Sequence, residues 1–278
     1  MATILVNGVR THYQWMPARR ASPEGAPVVV CVHGIGYDSL ASFYLTLAAP
    51  LAEAGIDVLA YDLRGHGRSA RPATGYRLGD FVGDLEDLIG RLHLDRPVHL
   101  LGNSFGGTVA FSFAARHPER VASVVSIESE PATEAWSAKM STTIRNVVDA
   151  MADETSLSWV AGTFGAHYAR LTKAAGAIIR STSIVEEIAA GPLLSADDLD
   201  AIRCPVLSIV GSEGFQQDDL TAVAASLPHC HTNVIDGQGH SVLVERHQTV
   251  RRILLGWLAE HDPVDLPGGA GLAEDGAA

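Results

Sequence analysis

The chain has 278 residues, 47% of them hydrophobic and 19% charged. That balance excludes a disordered or collagen-like polymer and is enough for a single core burying about three quarters of the unfolded surface. Twenty Lys and Arg against 32 Asp and Glu leave a net charge of −12, which argues against duplex nucleic acid and anionic membranes as partners, since both are held by clustered cations. A small molecule is the expected partner, and a homodimer is left open. Cys31, Cys204 and Cys230 are too few, and odd in number, for a disulfide framework. The chain start lacks the features of a secretory signal, and no apolar run nears the roughly 18 residues that span a bilayer. A reducing, cytoplasmic location is the expectation.

In chain order, Ile4 to Trp15, split by Asn7 and Gly8, reads as an opening hairpin. Val28 to Val32 is an unbroken apolar run ending at His33 and Gly34, the pattern of a strand buried on both faces. Leu40, Phe43, Tyr44, Leu47 and Leu51 form a helical stripe, Val58 to Tyr61 a second strand run, and Phe81, Leu85, Leu88, Ile89 and Leu92 a second stripe. Val98 to Leu101 is again a strand, followed by a helical pattern through Val109, Phe111 and Phe113, then by the strand run Val121 to Ile127. From Pro131 to Leu199 there are helical patterns and no strand run. At about 70 residues this is too long for an ordinary connection, and it reads as a helical insertion over the carboxyl edge of the sheet. Strands resume at Val206 to Val210 and, more weakly, Asn233 to Ile235. Val250, Ile253, Leu254, Trp257 and Leu258 mark a final helix.

This alternation predicts an α/β fold: a mostly parallel eight-stranded sheet with helices on both faces and right-handed crossovers. The expected organisation is a core from residues 1–130 and 200–262, a helical cap over 131–199, and a disordered tail over 263–278, rich in Gly, Ala, Pro and acid.

The strongest chemical signal is the run Gly102, Asn103, Ser104, Phe105, Gly106, Gly107, set between a strand and a helix. A serine at the tip of such a turn sits in a strained conformation that needs glycine neighbours, with its hydroxyl lifted clear of the sheet. The helix start beneath it offers unpaired N–H groups to an oxygen gaining negative charge. A serine hydroxyl needs a base, and the base needs a third group to fix its tautomer. His240 lies in Gly-Gln-Gly-His just after the last strand run, on a glycine-flexible loop. His229 and His231 are placed before that strand, and His247 in or near the final helix. Metal-ligand and nucleotide-binding spacings are absent from the sequence, so neither a metal nor a cofactor is expected.

These residues resemble the α/β-hydrolase superfamily, in its serine-nucleophile branch with a helical cap. The motifs are GNSFGG at 102–107, HGIG at 33–36 and YDLRGHGRS at 61–69. The resemblance implies that Ser104 is the nucleophile and His240 the base, that the backbone N–H groups of Ile35 and Phe105 form an oxyanion hole, and that His33 and His66 orient loops. It departs from the commonest pattern at the acid. Many relatives have aspartate three residues after the glycine that ends the strand equivalent to Val206 to Val210, and here that position is Gly214. Haloalkane dehalogenases and zearalenone-type lactone hydrolases are similar instead, with an acid after the preceding strand in a context like PERVASVVSIE at 118–128, which points to Glu128. Glu213, Glu130, Asp218 and Asp219 stay open as alternatives.

The function this implies is hydrolysis of a carboxylic ester or lactone of a medium-sized apolar or aromatic compound through an acyl-enzyme. Trp136, Trp159 and Phe164 of the insertion are candidates for the lining of an apolar substrate pocket. Carbon-carbon hydrolysis of the meta-cleavage type, a biosynthetic thioesterase or cyclase, and a ligand-binding receptor on the same scaffold are the alternatives.

Overall fold

The computed structural model describes residues 2–20, 25–152, 175–214, 227 and 229–261. Asn7 and Gly8 turn the chain with φ of 44° and 77°, the left-handed values a tight two-residue hairpin requires. They fold β1 (Ala2–Val6) onto β2 (Val9–Met16). The sheet is completed by β3 (Val28–Val32), β4 (Asp57–Tyr61), β5 (Val98–Asn103), β6 (Val121–Ile127), β7 (Val206–Gly211) and β8 (Cys230–Ile235). Its order is β1-β2-β4-β3-β5-β6-β7-β8, antiparallel through β1, β2 and β4 and parallel across every pair from β4 to β8.

The continuous apolar runs follow from burial on both faces. In β3, Val30 and Val32 join one core cluster while Val29 and Cys31 join the other. The helices Leu78–Arg91 and Phe105–Arg116 cover the first face, and Ala41–Glu53 and His247–His261 the second. The chain leaves β3 for β4 on one side and reaches β5 on the other, so strand order reverses between β3 and β5. The crevice at their carboxyl ends is where sheets of this kind bind ligands.

Two expectations are corrected. The last strand begins at Cys230, so His231 lies inside it rather than before it. As an edge strand, β8 carries the polar residues His231, Thr232 and Asn233, which leave no apolar run to read. Tyr44 falls outside its stripe and is 41% exposed, whereas Leu40, Phe43, Leu47 and Leu51 are buried. It opens a π-helical stretch, Tyr44–Ala48, whose wider turn breaks the 3.6-residue phase.

Between β6 and β7 the described chain is helical at Glu134–Ala152, 175–181, Ile184–Glu187 and Ala196–Asp200. It is tied to the core by Glu187, whose Oε2 accepts from the backbone N–H groups of Gly75 (2.9 Å) and Tyr76 (2.5 Å). A second tie runs from Lys139 Nζ to Glu130 Oε1 at 2.7 Å. Among the described residues no helix is long and apolar enough to cross a membrane. The tail expected over 263–278 lies outside the described residues.

Candidate active site

Ser104 caps the helix that follows β5 with φ 52° and ψ −125°, a conformation that L-residues other than glycine rarely adopt. Its neighbours explain how the turn closes. A Cβ at Gly102 would fall on the backbone of Gly107, and one at Gly106 on the carbonyl of Val32. Only glycine permits this approach of turn to sheet. The elbow is pinned by Ser104 N–H donating to Ile127 O (2.8 Å) and by Gly107 N–H donating to Ser104 O (2.9 Å).

Parallel register sets Asn103 opposite Ile127, so the residues that follow, Ser104 and Glu128, leave adjacent strand ends together. Glu128 is also left-handed, at φ 50°, and is held by its N–H donating to Ile209 O at 2.9 Å. Its buried side chain spans two neighbours. Oε1 accepts from the backbone N–H of Gly211 at 2.5 Å, and Oε2 from His240 Nδ1 at 3.3 Å. On the far side of the ring, His240 Nε2 accepts from Ser104 Oγ at 3.0 Å. The elbow serine, the loop histidine and the acid after β6 thus stand in one file.

The other acids sit elsewhere. Glu130 pairs with Lys139. Glu213 is exposed and donates its backbone N–H to Gln238 O at 2.8 Å. Asp218 and Asp219 lie outside the described residues, as do Trp159 and Phe164. Trp136 is buried and stacks on Phe105 with ring centroids 6.4 Å apart, which brings the helix Glu134–Ala152 against the residue next to Ser104. His247 opens the final helix and bonds Val244 O at 3.0 Å.

The HGIG turn is braced on both sides of Ile35. Gly34 N–H donates to Asp38 Oδ2 at 2.8 Å, and Gly36 N–H to His66 Nε2 at 2.9 Å. The N–H of Ile35, between them, has no partner among the described residues, and that of Phe105 opens a helix, where no intrahelical acceptor exists. His33 holds a loop, taking the N–H of Leu63 at 3.0 Å. Asp38 was missed. It also accepts from Ser39 N–H and Ser42 Oγ, both at 2.8 Å, and the only hint in the sequence was an acid four residues after the first glycine of HGIG.

Burial and the neighbouring His33 push His66 down to about 3, so it stays neutral and keeps its lone pair on Gly36. Its folded value lies below the unfolded 6.5. As pH falls below 6.5, the unfolded chain therefore takes up a proton that the folded chain refuses, and stability declines by about 1.4 kcal/mol per pH unit from this group. The expected result is that His66→Gln removes this component: urea unfolding from pH 7 to pH 4 gives a wild-type advantage that shrinks with acidification. An advantage constant with pH would contradict it.

A model of the alpha/beta hydrolase fold matches residues 27–177. The chain is 38% identical over 125 residues to a monoacylglycerol lipase of Mycolicibacterium smegmatis, a match covering 43% of this chain and 42% of that one. The chain thus spans less than half the length of that relative. Among solved structures, a carboxylesterase of the thaumarchaeon Nitrososphaera gargenis superposes with a TM-score of 0.71 over 93% of this chain and 98% of that chain, at 22% identity. The enol-lactonase of Burkholderia xenovorans LB400 superposes with a TM-score of 0.68 over 93% and 100%, also at 22% identity. At these identities the likeness is one of fold.

Proposed function

Because the chain belongs to the α/β-hydrolase fold family, we propose that it is a serine hydrolase cleaving a carboxylic ester or lactone of medium size and apolar character. The observation that carries the reading is the file itself: Ser104 Oγ to His240 Nε2 at 3.0 Å and His240 Nδ1 to Glu128 Oε2 at 3.3 Å. In it, Ser104 Oγ attacks the carbonyl carbon as its proton passes to His240 Nε2. Glu128 accepts from Nδ1–H, which holds the ring in the tautomer with a free Nε2 and offsets the charge of the imidazolium. The oxygen that becomes negative lies against the N–H groups of Ile35 and Phe105, fixed in place before reaction and so free of reorganisation cost. His240 returns the proton to the departing alcohol and then draws one from water, whose oxygen attacks the acyl carbon and frees Ser104. The 3.3 Å contact tightens once the ring is charged, as charge-assisted bonds are shorter.

The lipase and carboxylesterase activities of the proteins this chain resembles, and the aromatic pair Phe105 and Trp136 beside Ser104, support an apolar acyl substrate. The test is p-nitrophenyl butyrate hydrolysis together with intact-mass measurement after a fluorophosphonate. Turnover and a single adduct on Ser104 are expected; a protein giving neither is a binding module.

A further inference from the structure

Gly214 stands three residues past the end of β7, in a turn closed by its N–H on Gly211 O at 3.1 Å. Its φ lies outside the left-handed region, so no backbone strain bars a side chain there. Space forbids one. A Cβ on Gly214 would fall on Glu128 Oε2 and come within 2.8 Å of Oε1 and 2.9 Å of Cδ. That carboxylate has no room to yield: its side chain is 0% exposed, and its two oxygens are engaged by Gly211 N–H and His240 Nδ1.

We propose that Gly214 is a positioning residue for the hydrolase, its missing side chain forming the seat that Glu128 fills, so that an acid after β6 and a side chain after β7 exclude one another. This rests on the reading of Glu128 as the acid that orients His240. A side chain on Gly214 would push the carboxylate off His240 Nδ1, an effect that reaches Ser104 through the imidazole. Conversely, with Glu128 shortened, the vacated space lies where a carboxylate borne at position 214 meets the same ring nitrogen.

The experiment is a double-mutant cycle. Gly214→Ala is expected to lower kcat on p-nitrophenyl butyrate by about a hundredfold with KM within about threefold, since the defect is in orientation rather than substrate binding. Placed on Glu128→Ala, the same substitution changes kcat by less than about threefold, because the clash is gone. The exchange Glu128→Ala/Gly214→Asp is expected to recover at least about tenfold over Glu128→Ala alone. Thermal midpoints supply a readout independent of activity: Gly214→Ala lowers the midpoint of the wild type and leaves that of Glu128→Ala unchanged. Equal penalties in both backgrounds, in kcat or in midpoint, overturn the proposal, and so does an exchange variant no better than Glu128→Ala. A wild type without turnover or a Ser104 adduct defeats the hydrolase reading instead, and the thermal cycle still judges the clash.

Discussion

Ser104→Ala is expected to lower kcat on p-nitrophenyl butyrate by about a millionfold, leaving the roughly thousandfold acceleration over water that positioned N–H donors retain on their own. The change deletes one oxygen and nothing that shapes the elbow. Ser104 N–H still reaches Ile127 O, Gly107 N–H still reaches Ser104 O, and the glycines that admit the turn are untouched. The left-handed backbone, worth about 1–2 kcal/mol of strain in a residue with a Cβ, is the same in both proteins. The thermal midpoint should therefore move by no more than about 2 °C, which at this chain length is about 0.5–1 kcal/mol. Activity above about 1% of wild type would mean that another group attacks the carbonyl.

Glu128→Gln carries the second large effect, about ten-thousandfold in kcat. The amide oxygen can keep the N–H of Gly211, but the amide nitrogen then faces His240 Nδ1 as a donor. That selects the tautomer whose proton sits on Nε2, where the lone pair is needed, and removes the negative charge that offsets the imidazolium. Glu213→Gln, at an exposed side chain, is expected to stay within about twofold. Steady-state rates of the two variants side by side decide the matter: a large loss from the second with almost none from the first would move the acid to Glu213.

The parts of the fold written in side-chain periodicity were legible. The two-sided strands, the hairpin at Asn7 and Gly8 and the glycines around Ser104 each impose a pattern that backbone sterics make hard to mistake. Legibility failed where polarity or backbone geometry replaced pattern. An edge strand holding His231, Thr232 and Asn233 has no apolar face to announce it, and the π turn that puts Tyr44 into solvent is invisible to a 3.6-residue template. In the site, Glu128 was reachable by resemblance, yet its left-handed φ and its bond to Gly211 come from the meeting of β6 and β7. Asp38 braces a backbone N–H group rather than substrate, a role that leaves no spacing to read, whereas the loop-bracing role of His66 was legible only by resemblance.

The contact between Ser104 and His240 joins residues 136 apart in the chain, and the loop bearing His240 follows β8, an edge strand of the sheet. During synthesis the turn at Ser104 is therefore made while its partner is still untranslated, and on the proposed mechanism a chain halted before β8 has no activity however well its first half has folded. If the proposed ester turnover is measured after dilution from denaturant, its recovery is expected to time the closing of the whole sheet, later than any signal from the amino-terminal half.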